Sequence, residues 1–470
     1  MQNQKIIFGA PGCGKTTYLL EILEKELQEY SPDRIAFISF TRKGAYEGLA
    51  RALERFNIDE EQFKYFRTLH SICFNELRTS RYDMLSKKDY KIFSTAMNMK
   101  FVGYYTEDFS HNDDMYLYLY FLKHNNYEMY QKIRDTMQIN IDTLKHVALN
   151  YNSYKKRYKK KDFTDLLKET IRKKIILDID VAIIDEAQDL TTLQWEVCQM
   201  LFANAKKVYI AGDDDQAIYE WTGADVNYFL GLEGERIILD KSWRLKTNLL
   251  TFAKKISNII ENRVDKDFQA ADEGGAIEYH NTIQGFKFNP DESYYCLSRN
   301  NYYLRRYKTE LRKQLKIFKQ KDKLSVDPDI IFAINNFKRF KENHLLDKDS
   351  IKIKKLLRKD IPDISKFEWY EVFNLSMDDI FYYRKLIQNK VHIGDPKIFV
   401  NTIHGVKGGE ADNVILLMDV TKVVYQQLYN LSDSELRVLY VACTRAKNTL
   451  HIVHAETKYS YAEVFKELTT

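Results

Sequence analysis

The run Gly9-Ala10-Pro11-Gly12-Cys13-Gly14-Lys15-Thr16-Thr17 combines three glycines with a lysine and two threonines. Glycines let consecutive backbone N–H groups turn inward around a polyphosphate. A lysine at this spacing reaches the outer phosphates, and the hydroxyl after it can hold Mg2+. Asp185 and Glu186 form a second site. The first carboxylate suits the Mg2+ that bridges the phosphates, and the second suits polarising a water for in-line attack. Gln216, at the end of Gly212-Asp213-Asp214-Asp215-Gln216, can sense a γ-phosphate without titrating. Tyr219 and Trp221 follow closely, and rings of this kind stack on bases for about 1–3 kcal/mol each. A glycine loop alone does not separate a kinase, a GTPase, a transporter ATPase and a motor. The carboxylate pair points to hydrolysis rather than transfer to a hydroxyl.

These groups need elements to carry them. Lys5-Ile6-Ile7-Phe8 predicts a buried strand leading into the loop, and Tyr18, Leu19, Ile22, Leu23 and Leu27 recur at helical spacing beyond it. Strand, glycine loop and helix is the order a phosphate loop requires. Val181–Ile184 and Lys207–Ala211 predict two more buried strands, ending at Asp185 and just before Asp213. A carboxylate at the C-terminal tip of a strand in an open α/β sheet lies where ligands bind.

Composition bounds the rest. The 470 residues are 44% hydrophobic with 6 Pro, 17 Gly, 33 Tyr and 27 Phe, too aromatic for a disordered or linker-dominated chain. A net charge of +5 means that a basic groove must come from local clustering. The cysteines stand singly at 13, 73, 198, 296 and 443, a pattern that argues against a disulfide framework, a zinc site or a four-cysteine iron–sulfur cluster. With no bilayer-length apolar run and no signal-peptide pattern at the start, the expectation is a cytoplasmic protein (host cytoplasm if virus-encoded) without a membrane partner.

GAPGCGKTT, IIDEAQDL and GDDDQAIYEWTGA resemble motifs of superfamily 1 helicases of the UvrD/Rep type, and further motifs follow the family's order. Ala36–Ala45, with Phe40, Thr41 and Arg42, resembles the strand and loop that touch single-stranded DNA. Thr68-Leu69-His70-Ser71 resembles the T-x-H-S element, and Asp162-Phe163-Thr164-Asp165-Leu166-Leu167 the D-F-x-D-L-L stretch. Leu239–Arg244 resembles the segment with an adenine-stacking aromatic, here Trp243, and a phosphate-binding arginine, here Arg244. Thr402-Ile403-His404-Gly405-Val406-Lys407-Gly408-Gly409-Glu410 resembles T-x-H-x-x-K-G-x-E, with Thr402 and His404 toward DNA and Glu410 toward nucleotide. Leu439–Lys447 resembles the Y-V-x-x-T-R-A motif, with Arg445 as arginine finger. Only eight residues precede Gly9, so Gln2 or Gln4 is a reduced counterpart of the family's adenine-reading glutamine.

The resemblance implies an α/β fold of two RecA-like P-loop domains, each with an inserted, mainly helical subdomain. Residues 1–78 and 162–234 are expected to form the first ATPase core, with 79–161 inserted. Residues 235–311 and 396–470 are expected to form the second, with a reduced insertion at 312–395. ATP and Mg2+ would sit in the cleft, with Arg244 and Arg445 reaching phosphates from the second core. The implied activity is an ATP-dependent helicase or translocase moving 3′ to 5′ along single-stranded DNA. Its partners would be single strands, single-strand/duplex junctions, and replication or repair proteins. Tyr154–Lys161 packs six basic residues and two tyrosines into a candidate phosphate rail. The alternative is an ATP-switched nucleic-acid-binding subunit that regulates a partner nuclease or repair complex.

Overall fold

The structure, a computed structural model, describes residues 3–40, 42–56, 58–103, 113–136, 139–321, 323–361, 363–429 and 431–462. The chain divides into two compact units, the first comprising 1–275 and 427–444, the second 276–426 and 445–470.

The first unit is built on six strands: β1 Gln4–Gly9, β2 Ile35–Ser39, β3 Tyr65–Arg67, β4 Val181–Asp185, β5 Lys207–Gly212 and β6 Glu235–Leu239. They lie in the order β3-β2-β4-β5-β1-β6, and every pairing is parallel. A parallel sheet is covered on both faces, which is why its strands read as nearly unbroken apolar runs. Successive residues divide between two cores. Ile6, Phe8, Ala36, Ile38, Ala182 and Ile184 face one cluster, and Ile7, Ile35, Phe37, Val181 and Ile183 face the other. All six strands point the same way, so Gly9, Ser39, Asp185, Gly212 and Leu239 end at one edge of the sheet.

Residues 87–158 of the same unit carry the helices Lys87–Met97, Asp114–Asn125, Tyr127–Thr136 and Ile141–Tyr158. The Tyr/Leu alternation at 116–120 serves packing on both sides of its helix. Leu117, Tyr120 and Phe121 enter one small core, and Tyr118, Leu119 and Leu122 enter another.

The second unit has a sheet of β7 Ala276–His280, β8 Tyr294–Ser298, β9 Lys319–Gln320, β10 Lys323–Leu324, β11 Ile398–Thr402, β12 Ala411–Leu417 and β13 Ala446–Val453. The order is β10-β9-β11-β8-β12-β13-β7, parallel except for the β9–β10 hairpin. Between β10 and β11, four helices from Pro328 to Gln388 enclose a core of their own around Phe337, Ile353, Phe373 and Tyr383.

Two expected boundaries are corrected. The second core does not begin at 235: β6 pairs along its whole length with β1 and completes the first sheet, and 240–275 stay with it. The helix Asp433–Cys443 also belongs to the first unit, so the Y-V-x-x-T-R-A motif is divided between Thr444 and Arg445. No described helix is long and apolar enough to cross a membrane.

Candidate nucleotide and nucleic-acid site

The loop after β1 turns on Gly12 (φ 73°) and Gly14 (φ 81°), both left-handed. Gly12 has a second reason to lack a side chain, since a Cβ there would lie 2.4 Å from the Cβ of Arg244. Gly14 caps the helix Lys15–Glu26, whose first N–H groups and positive end face the loop. The Lys15 ammonium donates to the carbonyls of Gly9 (2.7 Å) and Ala10 (3.3 Å). Burial pushes its pKa down, but Cys13, Asp213, Glu186 and Asp185 outweigh burial and hold it above the usual lysine range. Lys15 is thus a half-buried cation whose carbonyl partners are neutral.

At the tip of β4, Asp185 Oδ2 accepts a hydrogen bond from the Thr16 hydroxyl at 3.1 Å. Burial, then the adjacent Glu186, push the Asp185 carboxyl up to about 6 against the pull of Lys15. Glu186 adopts a left-handed backbone (φ 55°), a costly conformation for a residue with a side chain, and its N–H donates to Asp185 Oδ1 at 2.9 Å. Gln188, which sequence reasoning did not single out, is the bridge. Its Nε2 donates to Glu186 Oε2 at 2.5 Å, and its Oε1 accepts from the Asp213 N–H at 3.0 Å. Gln216 donates to Asp213 Oδ2 at 2.5 Å. The expected metal ligands Thr16 and Asp185 therefore meet, and Glu186 and Gln216 join them through Gln188 and Asp213. A hydroxyl and a carboxylate oxygen beside inward-turned N–H groups and a lysine are a donor set that fits a Mg2+–nucleoside triphosphate.

The loop after β6 is strapped to the phosphate loop. The Ser242 hydroxyl, fully buried, donates to the Pro11 carbonyl (2.8 Å), and the Trp243 N–H to that of Gly12 (2.8 Å). This strap is the physical reason that Arg244 lies in the first unit, beside the phosphate loop, and not in the second as expected. The Trp243 ring is 68% exposed, with the Lys241 ammonium 4.1 Å from its centre. It borders an open cavity of about 470 Å3 lined also by Gly12, Cys13, Gly14, Thr17 and Tyr18. An exposed ring at the mouth of a phosphate loop is what base stacking needs.

Beneath Gln216 lies a charge cluster that the sequence did not reveal. Asp213, Asp214 and Asp215 are completely buried around Lys266, whose ammonium is 3.2 Å from Asp213 and 3.0 Å from Asp215 and also binds Asp214. Arg263 grips Asp215 with two bonds of 2.9 Å. Burial pushes the Lys266 pKa down, but the three carboxylates outweigh it and hold it above the usual range. A second buried arginine, Arg437, binds Glu220 at 2.7 Å and the Asn262 carbonyl at 2.6 Å. It pins the segment that carries Tyr219 and Trp221.

Of the expected DNA contacts, Phe40 and Tyr219 pack together with ring centres 5.5 Å apart, and Tyr219 and Trp221 are half-buried. The Thr68 hydroxyl caps the helix Leu69–Glu76 by accepting from the Ser71 N–H. The His70 ring stands edge-on to Phe163 at 5.3 Å, and burial pushes its pKa down to about 4, so it is neutral. Thr41 lies outside the described residues. Arg42 opens the helix Arg42–Phe56, and its side chain is also outside them. In the second unit, Thr402 ends β11 and His404 is buried in the turn after it. Glu410 is exposed. Arg445 is buried and donates to the Gly409 carbonyl at 3.2 Å. In the basic run, Lys155 turns inward to Asp162 (2.6 Å) and Asp165 (2.7 Å), and Tyr154 is buried. Lys156, Arg157 and Lys159 remain exposed.

These features are those of a family. A family model described as the UvrD/REP helicase N-terminal domain matches residues 1–236, and one described as the UvrD-like helicase C-terminal domain matches 397–453. The chain belongs to the UvrD/REP helicase family. It is 25% identical over 300 residues to the ATP-dependent DNA helicase PcrA of Leuconostoc citreum, a match covering 58% of this chain and 40% of that protein. It is 24% identical over 298 residues to the ATP-dependent DNA helicase Rep of Buchnera aphidicola, covering 58% and 44%. The chain thus spans less than half the length of these curated relatives. A solved structure, that of the PRRSV helicase, aligns at a TM-score of 0.36 and 10% identity over 96% of this chain and 52% of that chain, too loosely to carry any argument.

Proposed function

We propose that the chain is an ATP-dependent DNA helicase or translocase that moves along single-stranded DNA, 3′ to 5′, on two RecA-like lobes. The observation that carries this reading is the Thr16–Asp185 bond at the tip of β4, with Glu186 held beside it by Gln188. That arrangement suits hydrolysis: one carboxylate is placed for a cation and its neighbour for a water. When bound, Mg2+ supplies charge neutralisation across the phosphates. Lys15 leaves the Gly9 and Ala10 carbonyls to hold the outer phosphates, while Glu186 orients the water and takes its proton. Gln216 contacts the γ-phosphate, and Arg244 adds positive charge from the strap. Trp243 stacks on adenine.

Arg445, with Glu410, is the proposed contribution of the second unit to the nucleotide, as arginine finger. Such arginines raise turnover by about 10³–10⁵. Phe40, Thr41, Arg42, Thr68, His70, Tyr219, Trp221, Thr402 and His404 are the proposed strand contacts. Stacking tolerates any sequence, as a translocating protein requires.

The test is ATP hydrolysis with and without single-stranded oligonucleotide, followed by strand displacement on 3′- and 5′-tailed duplexes. Stimulation by oligonucleotide and displacement from the 3′ tail alone are expected. ATPase activity indifferent to DNA would overturn the reading, and displacement from the 5′ tail would reverse the polarity. Arg445→Ala should lower kcat and leave nucleotide affinity unchanged.

A further inference from the structure

The edge of the second sheet gathers three side chains with no part in the reading above. β7 and β13 run parallel, with His451 opposite Glu278 and Val453 opposite His280. Residues two apart on a strand share a face, so Glu278, His280 and His451 project from the same side of the sheet. His280 Nε2 lies 3.0 Å from His451 Nδ1. Glu278 Oε2 lies 3.2 Å from His451 Nδ1 and 3.7 Å from His280 Nε2. Three donor atoms thus converge on one point.

We infer that Glu278, His280 and His451 form a binding site for one first-row divalent cation of the zinc class. A metal bonded at ~2.0–2.2 Å to three atoms, at angles of about 90–120°, holds those atoms roughly 2.9–3.8 Å apart. The circle through the three atoms has a radius of about 1.9 Å, so an ion just out of their plane makes all three bonds at once. Two imidazoles and one carboxylate select zinc, nickel, cobalt or copper over Mg2+, which prefers an all-oxygen shell. The ligands are also held in place. Phe286 stands edge-on to both imidazoles, with ring centres 5.4 Å from His280 and 5.0 Å from His451. Phe288 and Tyr294 back Phe286 in turn. Glu278 is more than half exposed, which leaves the ion's remaining positions open to water.

The site has a structural consequence. β7 is the edge strand of its sheet, and β13 is its neighbour there. An ion bridging Glu278 and His280 to His451 is a clip across that pairing. Cysteine and histidine spacing gave no hint of it, because His280 and His451 lie 171 residues apart along the chain and converge only through strand register.

The test is a Co2+ titration of the full chain, free of any polyhistidine tag, followed by visible absorption with Mg2+ in excess. One Co2+ per chain with ligand-field bands is expected, displaced by Zn2+, and Zn2+ should raise the melting temperature. His280→Gln and Glu278→Gln are the deciding variants, since neither residue is buried. Each should weaken Co2+ binding at least tenfold and reduce the Zn2+-induced rise in Tm. Absence of binding at high micromolar Co2+, unchanged affinity in both variants, or displacement by Mg2+ would each overturn the site. Any of these would leave a cluster held by protons alone. DNA-dependent ATPase activity, measured in parallel, reports on the nucleotide site independently.

Discussion

Two lysines of the first unit, Lys266 fully enclosed and Lys15 half-buried, lie close to carboxylates in different surroundings. Lys266 makes ionic contacts with three fully buried aspartates, whereas Lys15 donates to two backbone carbonyls while Asp185, Glu186 and Asp213 act on it through space. A buried cation among charged partners is locked, because removing it leaves uncompensated charge. A cation parked on neutral carbonyls is exchangeable, since an incoming polyphosphate offers a stronger, charge-assisted bond. The scaffold cluster therefore holds the strand tips still, and the phosphate loop keeps its lysine available.

Glu186 lies on the exchangeable side, and its variant should show the largest effect. Glu186→Gln keeps the shape and the contact with Gln188 but removes the base, so kcat should fall about 10²–10⁴-fold with nucleotide affinity intact. Single-turnover hydrolysis and equilibrium nucleotide binding check this. Unchanged turnover would remove Glu186 from the role.

The lysines themselves should separate next. Lys266→Met leaves buried Asp213 and Asp214 without the cation they share, Asp215 keeping Arg263, and should cost about 3–5 kcal/mol of unfolding free energy, read by denaturant titration. Lys15→Met loses two hydrogen bonds to neutral carbonyls and a charge that Asp213, Glu186 and Asp185 favour only through space, so it should cost about 1–2 kcal/mol, less than the Lys266 variant. Its hydrolysis rate should instead drop roughly 10²–10³-fold. Similar stability losses in both variants would erase the distinction.

What the sequence made legible follows the same division. Lys15, Thr16, Asp185 and Glu186 could be read because their motifs are contiguous and each sits at the end of an apolar run that had to be a strand. Lys266, Arg263, Gln188 and Ser242 could not, because each acts on a partner chosen by the fold rather than by spacing. Lys266 is one of 72 basic residues, and nothing local distinguishes it from a solvated neighbour. Lys155 is harder still, inside a run where only its reach to Asp162 and Asp165 sets it apart. The second core is expected to open near Glu235, but which sheet Glu235–Leu239 joins depends on pairing with β1. That dependence misplaced the boundary and, with it, Arg244.

A smaller effect tests whether Tyr219 and Trp221 are held for use or merely packed. Arg437, fully buried, fixes Glu220 between them, so the rings are positioned from behind. Trp221→Ala should weaken oligonucleotide binding by about 1–3 kcal/mol and leave DNA-independent ATPase activity unchanged. Equal losses in both assays would make the ring a packing residue.

The smallest effect is the pH response of Asp185, whose sign differs between the empty and the loaded site. Burial and Glu186 raise its carboxyl to about 6, above the ordinary aspartate value. A raised carboxyl favours the folded state while protonated. Its contribution to stability is complete below the unfolded pKa of about 3.9 and lost as pH rises through about 6. The nucleotide-free protein at pH 7 has therefore given up that contribution, and Asp185→Asn should make it more stable there and flatten its profile between pH 4 and 6. Cation binding runs the other way, because a proton on Asp185 competes for the oxygen that Thr16 also touches. Mg2+-dependent nucleotide affinity should hold from pH 8 to 7, fall about twofold by pH 6, and then drop roughly tenfold per pH unit. Mg2+-independent binding should stay flat across that range. A Mg2+-dependent affinity equally flat down to pH 5 would show that the Asp185 carboxylate is stabilised by its surroundings, as is that of Asp213, whose pKa burial raises but Lys266 and Lys15 bring below the usual range, and would place it with the locked cluster instead.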